Sequence, residues 1–212
     1  MKKAIYFIAV TLLVILAMFE AALYPGHKSQ VQETGSDRLP DDAYDAILGG
    51  EKFYDTGTQE YLDVDCISKA FSPDDVPLKI AAVTRLDIDH DTIPEMILRL
   101  TIDGEPNHVI GHEILHFQDS NVYGYALFHR EFNHLKSDGS FSFSDGASNW
   151  GFAAIAFTGD GLTIHKTIYC ETSNHPTTYI VDGQETTEEM FWEECEIQDG
   201  KADAEWEDFT QT

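Results

Sequence analysis

Regularly spaced carboxylates make residues 86–100, LDIDHDTIPEMILRL, the stretch of this chain with the clearest capacity for chemistry. Aspartates stand at alternate positions from residue 87, and a glutamate follows at position 95. Calcium prefers hard oxygen ligands, and alternate side chains of a tightly turning loop can converge on one ion. The spacing therefore predicts a calcium site. Its expected ligands are the side chains of Asp87, Asp89, Asp91 and Glu95 and the backbone carbonyl of Ile93.

The residue at the turn of this loop argues against calcium. Such loops place glycine at their sixth position because the chain turns sharply there, whereas this chain has Thr92. A β-branched residue at positive φ costs on the order of 1 kcal/mol or more. The alternative is a structural turn in which the aspartate side chains accept hydrogen bonds from their own backbone. Both interpretations stay open at the level of the sequence.

A second motif, HEILH at residues 112–116, has the letters of a zinc peptidase. On a helix, His112 and His116 would share one Zn²⁺ ion and Glu113 would be the catalytic general base. On a strand, the two histidines lie about 13 Å apart and Glu113 points to the opposite face. The motif can therefore be an enzyme site only if this segment is helical.

Three features favour a strand for the motif. Gly111 would cost a helix about 1 kcal/mol relative to alanine, and turn-forming sequences stand on both sides, at 103–104 and 119–121. No third zinc ligand stands at a metzincin spacing, and the loose candidates are His129, Glu131 and His134. We therefore keep a zinc metallopeptidase, with Glu113 as catalytic residue and Zn²⁺ bound by His112 and His116, as the alternative function.

Short apolar runs separated by turn signals fill the chain from residue 79 onward. Asp-Gly dipeptides, which accept the positive φ angles of tight hairpins, recur six times from residue 103. This pattern predicts an antiparallel meander of about six to eight strands. One run alternates apolar and polar residues and predicts a half-buried strand. Its apolar residues are Leu162, Ile164, Ile168 and Cys170.

A helix is expected on either side of the meander. Before it, Asp41 or Asp42 can cap a short helix that ends at Gly49. After it, Thr186 and Glu189 form a capping box for a helix that ends at about residue 196. The predicted fold class is therefore α+β, a predominantly antiparallel β meander with a short N-terminal and a short C-terminal helix.

The N-terminus has the features of an export segment. Lys2 and Lys3 precede an apolar run from residue 4 to residue 19, which is a positive region followed by a hydrophobic one. Residues 1–23 are thus expected to be a signal peptide or an uncleaved signal anchor, and 24–42 a linker. Residues 43–212 form a single β-rich domain with an acidic C-terminal helix and tail. This order places the domain outside the cytoplasm, either secreted or anchored through residues 4–23.

Charge and cysteine content limit the partners further. The chain has 38 acidic and 13 basic residues, a net charge of −25. Such a surface repels phosphate backbones and anionic lipids, so nucleic acid is excluded as a partner. Export permits one disulfide among Cys66, Cys170 and Cys195. We prefer the pair Cys170–Cys195, and three buried thiols are equally consistent with the sequence.

The loop LDIDHDTIPEMIL resembles the DxDxDGxPE loop of FG-GAP/VCBS-type and dockerin-like calcium repeats, from which Thr92 departs. The longer run ILHFQDSNVYGYALFHREFNHLKSDGSFSFSDGASNWGFAAIAF and the ending VDGQETTEEMFWEECEIQDGKADAEWEDF are similar to uncharacterised exported or envelope proteins of Gram-positive gut bacteria. The similarity covers most of residues 43–212. It implies export and a β-rich domain, and it brings no known activity. The expected function is a non-enzymatic extracytoplasmic binding or structural domain, with an unknown envelope or extracellular partner and a degenerate calcium-type loop.

Overall fold

The structure is a computed structural model, and it describes residues 38–71, 76–159, 161–172 and 176–210. The signal segment predicted for residues 1–23 and linker residues 24–37 lie outside these ranges. Within the described ranges, no helix is both long and apolar enough to cross a membrane.

The described chain contains twelve strands and three α-helices. The strands are β1 (Phe53–Asp55), β2 (Glu60–Leu62), β3 (Leu78–Leu86), β4 (Glu95–Ile102), β5 (Glu105–Gln118), β6 (Asn121–Phe128), β7 (Phe141–Ser144), β8 (Asn149–Thr158), β9 (Gly161–Glu171), β10 (Thr178–Val181), β11 (Gln184–Thr186) and β12 (Glu207–Asp208). The helices are α1 (Pro40–Leu48), α2 (Ser68–Phe71) and α3 (Glu188–Asp199), and a 3₁₀ turn spans Val64–Cys66.

The strands form two sheets. The larger has the order β12-β3-β4-β5-β6-β1-β2 and the smaller has the order β11-β10-β9-β8-β7. Among the described residues, all strand pairs of the two sheets are antiparallel except one, because β1 pairs with β6 in parallel. The predicted α+β class and antiparallel meander are confirmed. The predicted number of six to eight strands is too low, because the described chain has twelve, and they divide into two sheets.

Alternation along the central strands gives the larger sheet two buried faces. On one face, Leu98 of β4 packs in a core with Tyr44 of α1. On the other face, Ile97 packs with Ile155 of β8, in the core between the two sheets. Because both faces of β4 are covered, its residues form an almost continuous apolar run rather than an alternating one.

The first helix begins differently from the prediction. Its N-cap residue is Leu39, which makes no side-chain cap, and Pro40 stands in the first turn. Proline suits this position because it has no N–H to leave unpaired and its φ already fits the helix. Asp41 and Asp42 lie in the first turn instead of capping it, where negative charge is favourable. The helix starts inside the segment predicted as linker, and its predicted end at Gly49 is confirmed.

The last helix, α3, covers the outer face of the smaller sheet, where Phe191 packs against Phe152. Its cap is Thr187, whose Oγ1 accepts a hydrogen bond from the backbone N–H of Met190 at 3.3 Å. The cap therefore lies one residue beyond the predicted Thr186. The helix continues to Asp199, beyond the predicted end near residue 196.

A β-bulge in β9 reverses which face its side chains occupy. Ile168 pairs with Phe152 and Lys166 pairs with Ala153, so the residue between them, Thr167, is extra. Side chains alternate with a period of two, so one extra residue moves all later side chains to the other face. Leu162 and Ile164 consequently lie between the sheets. Ile168 and Cys170 instead face α3, so the prediction that all four share one face is wrong.

All three cysteine thiols are free. Cys170 and Cys195 are buried in one cluster beneath α3, so the preferred pair lies together in the fold without a disulfide. Burial is the main reason that the pKa of the Cys195 thiol is raised to about 11. Both residues therefore act as small apolar side chains in this core.

Candidate functional site

The acidic loop connects β3 to β4 and is held by its own aspartates. Asp87 accepts hydrogen bonds from the backbone N–H groups of Asp91 and Thr92, each at 3.1 Å. Asp89 also accepts from Asp91, at 3.2 Å, and Asp91 accepts from Ile93 at 2.7 Å. The loop is therefore ordered by the side-chain turns that the structural alternative requires.

The backbone turns sharply at the position where calcium-binding loops place glycine. Thr92 has a φ of 79°, and His90 has a φ of 65°. A β-branched residue is strained in this left-handed region. The loop therefore adopts the glycine-requiring conformation in spite of its threonine, at a cost in stability.

Three of the four predicted carboxylates converge. Asp87, Asp89 and Glu95 each offer an oxygen, and these oxygens all lie within 4.8 Å of one another. Asp91 is exposed and lies outside this group. Three negative charges so close repel one another unless a cation or protons neutralise them.

The environment of these carboxyls disfavours their charged forms. Burial is the main cause of the raised pKa of Asp89, and the neighbouring Asp91 and Asp87 add to it. Burial likewise raises the pKa of Glu95, although hydrogen bonds from His116 and from the backbone N–H of Ile88 oppose it. A bound cation would remove this penalty, because it favours the ionised form of each ligand.

Glu95 connects the acidic loop to the HEILH strand. Its Oε1 lies 3.0 Å from Nδ1 of His116, and its Oε2 accepts from the backbone N–H of Ile88 at 3.1 Å. The His116 ring stacks on Phe157, with 3.9 Å between ring centroids and 11° between planes. Hydrogen bonds to Glu95 and the packing of His116 therefore fix the position of this carboxylate without a bound ion.

The HEILH residues lie in the middle of β5, so the zinc alternative is wrong for this geometry. His112 pairs with Leu127 and His116 pairs with Tyr123 across β6, and this strand spacing separates the histidines by about 13 Å. Two imidazoles that far apart cannot share an ion with bonds of about 2 Å. Glu113 lies on the opposite face, where it is fully buried.

The loose zinc candidates do not complete a site either. His129, Glu131 and His134 follow β6 in a turn, where Glu131 accepts a hydrogen bond from the backbone N–H of Phe128 at 2.9 Å. In the part of the chain that the structure describes, Asp87, Asp89 and Glu95 are the one group of three or more ligand-type side chains close enough to share an ion.

Glu113 instead belongs to a buried carboxyl pair. Neither of its oxygens has a hydrogen-bond partner, and Oδ2 of the buried Asp55 also has none. Burial raises the pKa of Glu113 well above its usual range, and the charge of Asp55 raises it further. Oδ1 of Asp55 accepts from the N–H and hydroxyl of Thr58, at 2.7 and 2.6 Å. The sequence gives no sign of this pair, because Asp55 reaches the site through parallel pairing of β1 with β6.

Comparison with protein-family models, with curated proteins and with solved structures gives no match. The function must therefore be inferred from the residues of this chain, and the resemblance to exported Gram-positive proteins stays a prediction.

Proposed function

We propose that the protein is a non-enzymatic extracytoplasmic domain that binds calcium at the loop between β3 and β4. The observation that carries this proposal is the convergence of Asp87, Asp89 and Glu95 within 4.8 Å on a loop whose backbone already turns as a calcium loop does. Backbone carbonyls, such as that of Ile93, and water would supply the remaining oxygen ligands that calcium needs.

The expected role of the ion is structural. The loop joins two adjacent strands of the larger sheet, β3 and β4, and Glu95 is the first residue of β4. Calcium would neutralise the three carboxylates and stabilise this corner of the sheet. Extracellular calcium modules typically bind with dissociation constants of about 10⁻⁴–10⁻³ M, and we expect this range because Thr92 adds strain.

The location and partner belong to the same proposal. Lys2, Lys3 and the apolar run after them favour export, and extracellular fluid supplies calcium at the concentrations that such a site needs. We expect this domain to act without catalysis, by presenting a binding surface to an envelope or extracellular partner. Cell fractionation tests the location, and recovery of the chain in the cytoplasm would contradict it.

Calcium titration of the metal-free, full-length protein tests the ion site. Calcium at millimolar concentration should raise the melting temperature, and Asp89→Asn should abolish the gain. Asp182→Asn is the matched control, because Asp182 occupies a tight turn with φ of 48° outside the acidic loop, and it should keep the full gain. No calcium-dependent shift in the wild-type protein would overturn the proposal.

Magnesium distinguishes a calcium site from general charge screening. Mg²⁺ demands near-ideal octahedral geometry and gives up water reluctantly, whereas Ca²⁺ accepts irregular sites. Calcium should therefore stabilise the protein at concentrations at which magnesium does not. If both ions raised the melting temperature equally, and Asp89→Asn showed the same rise, the effect would be screening of the net charge of −25. That result would contradict a specific site.

A further inference from the structure

We propose that a cleft beside the HEILH strand, between Arg99 and Trp206, binds a small ligand that carries a single carboxylate. The cleft is a cavity of about 360 Å³ on the face of the larger sheet opposite Glu113. Its walls include Arg99, His112, Phe132, His134 and Trp206. Its volume lies within the range of small-molecule sites, which is about 300–1,000 Å³.

Arg99 is the group that recognises the anion. Its guanidinium lies over the Trp206 ring, 3.8 Å from the centroid. No carboxylate of the described residues forms an ion pair with it, whereas Arg38 and Arg85 both have such partners. Because Arg99 is partly buried and forms no ion pair with the acidic residues that the structure describes, its fork of N–H donors is available for a ligand.

His112 supplies a second polar side chain in the wall of the cleft. The side chain is 4% exposed, and its Nδ1 has no hydrogen-bond partner. It packs edge-on against Phe132, with 5.1 Å between ring centroids, and lies 5.7 Å from Trp206. Burial lowers the pKa of His112 to about 3, and the charges of Arg99 and His129 lower it further, although a hydrogen bond with the backbone of Phe132 opposes them. The ring is therefore neutral at pH 7, and it offers a hydrogen-bonding atom rather than a charge.

The C-terminal tail builds the outer wall of the cleft. The backbone N–H of Ala204 donates to the carbonyl of Leu135 at 3.0 Å, and β12 pairs with β3 just after Trp206. Asp203 also lines the cavity, but its carboxylate binds Lys136 Nζ at 2.8 Å. The tail is thus fixed on both sides of Trp206, and the acidic residue in the wall is already neutralised.

The charge and shape of the site favour a monocarboxylate. A planar guanidinium fork matches the two oxygens of a carboxylate. The net charge of −25 repels a phosphate dianion more strongly than a monoanion. The aromatic rings of Phe132 and Trp206 suit an apolar body attached to the carboxylate.

Indole N–H signals of the full-length protein provide a direct test, with benzoate as the probe. The chain has three tryptophans, and two of them, Trp150 of β8 and Trp192 of α3, contact each other outside the cleft. Benzoate should shift the Trp206 signal saturably and leave the other two in place, and Trp206→Phe assigns that signal. Benzamide, which has the same shape without the charge, should give no saturable shift.

Arg99→Gln should weaken benzoate binding by about tenfold or more, since it removes the charged fork. Arg85→Gln is the matched control, because it removes the same charge from a surface ion pair and should leave the affinity unchanged. Arg99→Lys keeps the charge but loses the fork of N–H donors, so it should bind benzoate weakly. Its circular dichroism spectrum should match that of the wild-type protein, which would show that the fold is unchanged. Absence of a Trp206 shift in the wild-type protein, equal binding by Arg99→Gln, or tighter binding of inorganic phosphate than of benzoate would overturn the proposal.

Discussion

Oε1 of Glu95 and Nδ1 of His116 lie 3.0 Å apart, and both side chains are buried. Glu95 ends the acidic loop and His116 ends the zinc-like motif, so one contact joins the two stretches that carry the chemistry of this sequence. The second histidine of HEILH therefore positions a carboxylate of the candidate calcium site. This relationship makes the stability of the loop dependent on a side chain that lies 21 residues further along the chain.

His116→Gln should destabilise the protein and weaken calcium binding. Hydrogen bonds to charged groups contribute about 1.5–3 kcal/mol, and the variant also loses the stacked contact with Phe157. Urea unfolding with and without calcium measures both effects. His165→Gln, on the exposed side of β9, is the control and should change little. Unchanged stability of His116→Gln would show that the buried pair does not support the loop.

Glu113→Leu should raise the free energy of unfolding at pH 7 by about 1–3 kcal/mol, because it removes buried oxygens that have no partner. Urea unfolding again provides the measurement. Glu105→Leu, at the exposed start of the same strand, should give no such gain. A loss of stability in Glu113→Leu would mean that the carboxyl group makes a favourable interaction in the core.

The metal-free protein should become more stable as the pH falls from 7 towards 4.5. Burial raises the pKa of Glu95, Asp89 and Glu113 above their usual values, so the folded state binds more protons than the unfolded state in this range. The stability that each group contributes is fully present below its pKa in the unfolded state. It is lost as the pH rises through its pKa in the folded state. Chemical unfolding across this range provides the measurement.

Stability should fall again at lower pH. The pKa of Asp138 is lowered to about 2, chiefly through hydrogen bonds from Lys201 and Ser140 that outweigh partial burial, so its contribution disappears as it becomes protonated. Glu113→Gln should reduce the gain in stability between pH 7 and pH 4.5, since it removes one of the three carboxyl groups with a raised pKa. A stability that falls steadily with acidification from pH 7 would contradict the raised pKa values.

Thr92→Gly should stabilise the protein by about 1 kcal/mol and raise its affinity for calcium, because glycine adopts a φ of 79° without strain. Thr92→Ala is the matched control, since alanine keeps the strain of a side chain at positive φ, and it should give no gain. Thermal unfolding and calcium titration measure the two effects. Equal behaviour of both variants would show that backbone strain at this position does not limit the site.

Local patterns in the sequence predict the elements of this fold well. Asp-Gly turns and short apolar runs indicate an antiparallel meander, and the structure confirms it. Gly111 and the flanking turns correctly indicate that HEILH is a strand. The bulge at Thr167 has no such signal, because an extra residue is recognised only from the register of two paired strands.

Composition and short-range patterns are sufficient to show that the chain is acidic and β-rich, with helices before and after the meander, since these properties depend on residues close together in the chain. In the sequence, the acidic loop is recognisable only as four regularly spaced carboxylates. Tertiary structure decided that three of them converge, that Glu95 meets His116, and that Asp55 lies near Glu113. It also placed Arg99 against Trp206. The first depends on the turn of a single loop, whereas the other contacts join distant parts of the chain and therefore depend on strand pairing and on how the elements pack.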